Sequence, residues 1–225
     1  MNGRKSLLRS ALTKTAAGFL IMGLLLFLPA GTLEYPGAWR LLGLLFVPMM
    51  LVGIVLFLKA PELLQKRLNS KEQQSEQKLV VLCSALIFVA GFVLAGLDFR
   101  FQWTQLPDAF ILPFCLLFLA SYALYAQVLR ENAYLSRTIE VQEGQKVVDT
   151  GLYGIVRHPM YAAVILLFLS MPLVLGSALA VIPFLLIPAV LVKRIQNEEE
   201  VLEEGLEGYR EYKTRVRYRL IPFIW

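Results

Sequence analysis

Residues 160–192 read MYAAVILLFLSMPLVLGSALAVIPFLLIPAVLV, without one charged side chain. A membrane-spanning helix takes ~20 residues, so a stretch of about thirty is too long for one crossing. Gly176-Ser177 divides it, and Pro172, Pro183 and Pro188 interrupt it. Prolines mark places where a helix bends and frees backbone groups. The stretch reads as a tight helical hairpin with arms at 160–175 and 177–192. Four further apolar runs precede it, at 15–30, 39–58, 79–97 and 109–129. Each is near the length that a ~30 Å hydrocarbon core requires.

Composition agrees. The chain has 225 residues, 57% hydrophobic and only 17% charged, with mean hydropathy +0.62. A soluble domain carries about a quarter charged residues. The expected fold is therefore an all-α integral membrane protein of about six transmembrane helices. The last two form the hairpin, and a cytoplasmic C-terminal helix follows. Six spans nearly exhaust the length, so residues 1–225 form one membrane domain, with four spans in 1–130.

Orientation follows from Lys and Arg. With six spans both termini share a side. That side carries Arg4, Lys5, Arg9, Lys14, the 59–78 and 130–158 loops and the C-terminal tail, together 20 of the 22 basic residues. Only Arg40 and Arg100 fall opposite. Both termini are expected in the cytoplasm. The N-terminal run resembles a signal peptide in its basic start, but no small-x-small cleavage site follows Leu28-Pro29-Ala30, so it is expected to remain as a span.

The net charge of +5 reflects this asymmetry and does not point to nucleic acid. Cys83 and Cys115 lie in apolar runs and are not expected to pair. The single histidine, His158, excludes a multi-histidine centre, and no metal is expected. The span interiors hold no Asp, Glu, Lys, Arg or His, which argues against ion translocation. Polar chemistry belongs at the cytoplasmic boundary.

Two segments there carry it. Gly151-Leu-Tyr153-Gly-Ile-Val-Arg157-His158-Pro159-Met-Tyr161 leads into the fifth run. Pro159 suits a first helical turn, and the free N–H groups of that turn favour an anion. A basic flank with interfacial tyrosines is the alternative. Arg194-Ile-Gln-Asn-Glu198-Glu199-Glu200-Val-Leu202 reads as a helix leaving the sixth run, with Arg194 and Glu198 on one face. Its alternative is a solvated helix with surface ion pairs. The basic stretch 210–219 reads as an attachment to anionic lipid, with Phe223 and Trp225 at the interface.

Taken together, these residues resemble the isoprenylcysteine carboxyl methyltransferase family in its bacterial branch, over roughly residues 59–225. The pattern Gly-x-Tyr-x-x-x-Arg-His-Pro-x-Tyr falls at Gly151, Tyr153, Arg157, His158, Pro159 and Tyr161. Arg-Ile-x-x-Glu-Glu-x-x-Leu falls at Arg194, Ile195, Glu198, Glu199 and Leu202. The closing Tyr-x-x-Tyr and Arg-x-Arg-Leu-Ile-Pro fall at Tyr209, Tyr212, Arg217, Arg219, Leu220, Ile221 and Pro222. Glu131-Asn132 is a weaker match. Leu152 and Gly205-Leu206 depart from the pattern and indicate a sub-branch.

The resemblance implies a membrane-embedded methyltransferase using S-adenosylmethionine, in the bacterial inner membrane, with residues 131–225 as the catalytic region. It implies a cofactor site at Tyr153, Arg157, His158, Tyr161, Glu199, Tyr209 and Tyr212, closed by the C-terminal tail. A lipid-linked or hydrophobic acceptor would enter from the bilayer. A carboxylate acceptor is already ionised at neutral pH and needs no strong base, which suits a chain with one histidine. It calls for an arginine fork. Arg194, oriented by Glu198, is the first expectation and Arg217 the second. Three alternatives stay open: an NADPH-dependent sterol-type reductase, which shares the Arg-His-Pro motif; a phospholipid N-methyltransferase; and a non-catalytic protein that binds anionic lipid.

Overall fold

A computed structural model describes residues 2–69, 75–136 and 138–225. Part of the basic loop expected at 59–78 thus lies outside the described residues. Those described form helices joined by turns, with no strand among them. Helices α1 (Asn2–Ala30), α2 (Pro36–Lys59), α4 (Ser75–Phe101) and α5 (Asp108–Glu131) contain the four long spans. Between α2 and α4 lies the short helix α3 (Pro61–Leu68). Then come α6 (Pro159–Val174), α7 (Val181–Phe184), α8 (Ile187–Gly205) and α9 (Tyr209–Arg215).

The expectation of an all-α membrane fold stands, but the hairpin is built differently. Its first arm is α6, 16 residues or about 24 Å at 1.5 Å per residue. This falls short of the hydrocarbon thickness. The second arm is not one helix. Residues 177–186 make turns around the single turn of α7, and α8 begins only at Ile187, with Pro188 in its first turn. Proline lacks an N–H and fits a helix start better than its interior. From there α8 continues unbroken through Arg194 and the three glutamates. The arm and the helix expected to leave it are therefore one rod.

The turn of the hairpin is pinned by a buried acid. Asp98, at the end of α4, is fully buried and accepts from the Thr104 backbone N–H (2.7 Å), the Thr104 hydroxyl (2.8 Å) and the Ser177 hydroxyl. Thr104 and its neighbours also bond the hairpin backbone: Leu179 N–H donates to the Thr104 hydroxyl (2.9 Å) and Leu106 N–H to the Gly176 carbonyl (2.8 Å). At the same end, the Arg40 guanidinium donates to the Val174 carbonyl (3.1 Å). The core runs between these ends through Leu26, Leu41, Phe92, Phe118, Met171, Phe184 and Ile195. Large apolar side chains such as Leu24, Leu28, Leu51 and Leu116 point outward, as a bilayer solvent allows.

Close helix approach depends on small residues. A Cβ at Gly96 would lie 2.6 Å from the Leu26 carbonyl oxygen, so α1 and α4 meet backbone to backbone there. At Gly43 a Cβ would meet nothing within 4 Å. Gly96→Ala is therefore expected to cost ~1–3 kcal/mol by overpacking. Gly43→Ala is expected to be neutral or slightly stabilising through helix propensity. Thermal unfolding midpoints in one detergent would show the difference; equal midpoints would refute the backbone contact.

Candidate active site

The site is built around Glu199 on α8, which is 2% exposed. A buried carboxylate is costly unless paired and hydrogen-bonded. Arg157 Nε donates to its Oε1 at 2.8 Å and His158 Nε2 lies 3.2 Å from the same oxygen. Arg219 Nε and Nη2 both lie 2.9 Å from Oε2, and Lys213 Nζ is at 3.8 Å. Burial opposes ionisation of Glu199. Hydrogen bonds from His158, Arg219 and Arg157 outweigh it and hold the carboxyl well below the usual carboxylate range.

The same knot fixes the tail. Arg157 Nη1 donates to the carbonyls of Val216 (2.8 Å) and Arg217 (2.7 Å). The backbone N–H groups of Arg157 and His158 donate to Tyr218 and Arg219 carbonyls, each at 2.9 Å. The chain then curls so that the Arg219, Leu220 and Ile221 N–H groups converge on the Trp225 carbonyl, with the Arg219 guanidinium over the Trp225 ring. The N–H groups expected to be free at the mouth of α6 are thus largely satisfied internally. Tail carbonyls take the first two, Pro159 has none, and the Tyr161 and Ala162 N–H groups turn back to the His158 carbonyl.

The motif's start is held from α5. Glu131 Oε2 accepts from Leu152 N–H (2.8 Å) and Asn132 Nδ2 donates to the Tyr153 hydroxyl (3.0 Å). Gly151 has φ +59°, and a Cβ there would sit 2.7 Å from the Glu131 carboxyl. Only glycine meets both demands. The Tyr212 hydroxyl donates to the Tyr153 carbonyl (2.7 Å), docking α9 on the short 3-10 turn Gly151–Gly154.

Between these elements opens a cleft of ≈ 830 Å³, its open mouth included. Eight of the ten residues expected from the sequence line it: Tyr153, Arg157, His158, Tyr161, Arg194, Glu198, Tyr209 and Tyr212. Two do not. Glu199 lies behind the wall, both oxygens engaged. Arg217 is exposed and contributes its carbonyl instead; Arg219 is the tail arginine that reaches the knot. Arg194 and Glu198 do come together, but through a third group. Arg194 Nε donates to the Tyr161 hydroxyl (3.0 Å), which donates to Glu198 Oε2 (2.5 Å).

The loop between α5 and the motif forms the wall that sequence reasoning missed. Asn132, Ser136, Thr138, Glu140, Gln145 and Lys146 line the cleft from it, with Ile139, Val147, Leu202 and Leu206 as apolar surface. Its one foreshadowing was the weak Glu131-Asn132 match. Tyr209 brings a buried hydroxyl that has no partner. Burial, then the charges of Glu199 and Glu198, push its ionisation above the usual tyrosine range, so it is a neutral phenol. Burial does the same for Tyr153 and Tyr212. No group of three metal-ligating side chains occurs among the described residues.

The basic stretch 210–219, expected to face lipid, is partly occupied within the fold. Lys213 pairs with Glu203, Arg215 with Asp149 (2.8 Å) and Arg219 with Glu199.

Residues 111–204 match the Isoprenylcysteine carboxyl methyltransferase (ICMT) family. The matched region runs from within α5, through the loop and the motif, almost to the end of α8. The match agrees with the family resemblance carried by the motifs over this part of the chain. The chain is also similar to the Delta(14)-sterol reductase TM7SF2 of Mus musculus, 33% identical over 91 residues. That similarity covers 39% of this chain and 22% of the relative, so the chain spans about a fifth of that protein's length.

Removing the carboxylate of Glu199 leaves Arg157 and Arg219 unmatched. Glu199→Gln is expected to cost ~3–5 kcal/mol. Because the folded-state pKa is depressed, this stabilisation is full above the unfolded carboxyl range near ~4.3 and is lost as pH falls through the folded value. Detergent unfolding measured from pH 7 downward should therefore show a steeper acid loss in wild type than in Glu199→Gln. Parallel pH profiles would refute the knot's role.

Proposed function

We propose that the chain is an S-adenosylmethionine-dependent methyltransferase acting on the carboxylate of a lipid-linked or hydrophobic acceptor at the cytoplasmic membrane boundary. The observation that carries this reading is the composition of the cleft. It is a polar and aromatic chamber with a partnerless buried phenol, beside a carboxylate, in the region that matches the family.

The residues fit the cofactor's groups. Glu198 faces the cleft and offers a carboxylate for an ammonium, by a charge-assisted hydrogen bond. Glu199 is already engaged, so this role moves one residue along α8 from where the motif reading had it. Lys146 and the hydroxyls of Ser136 and Thr138 offer partners for a carboxylate and ribose. Tyr153, Tyr161, Tyr209 and Tyr212 present aromatic faces, which suit a sulfonium. The apolar wall of Ile139, Val147, Leu202 and Leu206 suits a purine. When bound, the cofactor supplies an electrophilic methyl group. The chain's own work is to position the acceptor, exclude water and bring charge to the acceptor carboxylate. Arg194 supplies that charge, held by Tyr161. The knot behind the wall keeps Arg157 and His158 in place while the tail closes the cytoplasmic side.

The reading places the protein in a bacterial inner membrane with both termini in the cytoplasm, as the Lys and Arg distribution supports. Anionic lipid remains a partner for the tail arginines that face outward, Arg217 foremost.

The similarity to a sterol reductase favours a second reading, an NADPH-dependent reduction in the same cleft. Against it, α6 carries no acidic residue, whereas the notable acids stand on α8, within the matched region.

Calorimetry on detergent-purified protein separates the two. S-adenosylmethionine is expected to bind and NADPH not. Tyr209→Phe removes the partnerless hydroxyl without leaving any protein group unpaired. It should weaken cofactor binding roughly 2–10-fold, the size of one neutral hydrogen bond, with no loss of stability. NADPH binding alone would establish the reductase; an unchanged affinity in Tyr209→Phe would remove that hydroxyl from the site.

A further inference from the structure

Gln77 lies in the first turn of α4, just before its apolar run, and is 0% exposed. Its Oε1 accepts from Arg194 Nη1 at 2.8 Å. Arginine is a donor only, so this bond fixes the orientation of the amide, with the oxygen toward Arg194 and the NH2 turned away. That Nε2 has no hydrogen-bond partner. A buried donor left unmade costs free energy that a fold rarely concedes without a reason. Gln77 does not line the cleft, whereas Arg194 does. Arg194 thus links the cleft to the orphaned amide of α4. The three helices that meet here, α4, α6 and α8, do so where the apolar part of α4 begins.

Resting on the methyltransferase reading above, we infer that Gln77 is a specificity-determining residue, its Nε2 donating to one oxygen of the acceptor carboxylate while Arg194 supplies the charge. An acceptor with its tail in the bilayer delivers a carboxylate at this depth, from the side of α4. Its free oxygen then meets the methyl group beside Arg194, approached from within the membrane rather than through the cytoplasmic mouth. The Tyr161 hydroxyl, committed to Glu198, does not compete for the carboxylate. The transfer balances without a proton. A carboxylate lone pair forms the C–O bond to the methyl carbon, the S–CH3 bond breaks, and its electron pair stays on sulfur as a neutral thioether. An amide is the fitting donor, since it satisfies an anion without adding a charge that would need a partner when the site is empty.

The test uses full-length protein in detergent with S-adenosylmethionine, N-acetyl-S-farnesylcysteine and the methyl ester of the latter, which lacks the anion. Wild type is expected to bind the acid more tightly than the ester. Gln77→Met keeps the length and removes the donor. It should lower affinity for the acid about tenfold, or about 1.4 kcal/mol, and leave the ester and S-adenosylmethionine within twofold. Gln77→Glu should abolish acid binding by repulsion while S-adenosylmethionine still binds, which also shows that the variant is folded. Equal losses for acid and ester, or no preference for the acid in wild type, would overturn the inference and leave the methyltransferase reading intact. A wild type that does not bind S-adenosylmethionine would overturn that reading, and this inference with it.

Discussion

A buried carboxylate must be matched, and the match to Glu199 organises the end of the molecule that carries the cleft. Two arginines and a histidine converge on its two oxygens, with Lys213 further out. They come from different parts of the chain: the motif that opens α6, and the tail beyond α9. Because α8 is one rod from Ile187 to Gly205, the knot joins the short hairpin within the membrane to the closing segment outside it. An ion cluster of this kind is a poor source of net stability compared with apolar packing, but breaking it is costly. Its use here is geometric. It sets the height and orientation of Arg157 and His158 and forces the tail across them.

The cleft is a consequence of that arrangement. With α6 docked to the tail and α9 docked to Tyr153, the segment between α5 and the motif completes the enclosure among the described residues. It does so with irregular backbone and polar side chains, held by Arg67 to the Ser136 carbonyl (2.9 Å) and by Lys66 to Gln142 (2.5 Å). The opposite end of the molecule follows the same logic, with Asp98 as the buried acid and hydroxyls as its partners. Both ends of the hairpin are thus held by a carboxylate. Among the described residues, the ion pairs fall on Glu199 and not on Asp98.

Much of this was legible in the sequence because bilayer physics leaves few choices. Runs of the right length and a break at Gly176-Ser177 gave the four long helices and the place where the hairpin turns. The motif reading brought together eight residues that do line one cleft. What escaped it depends on local geometry. Pro183 and Pro188 were visible, yet nothing in composition says that the second arm would restart as a helix only at Ile187. Glu198 and Glu199 are adjacent acids; which one turns into the cleft depends on the azimuth of α8. Arg215, Arg217 and Arg219 lie in and beyond the last turn of α9, where no repeat marks which one turns inward. The loop wall has no periodicity at all, so its polar residues carried no signal beyond Asn132.

The central claim is that the space between the knot, the loop wall and α8 is where S-adenosylmethionine sits. It is tested most directly by ultraviolet cross-linking of methyl-labelled S-adenosylmethionine to purified protein, followed by mapping of the labelled peptides. Label is expected in peptides spanning 132–161 and 194–212, and excess unlabelled S-adenosylmethionine should remove it while NADPH does not. Specific label confined to α1–α4, or label displaced by NADPH alone, would contradict the account.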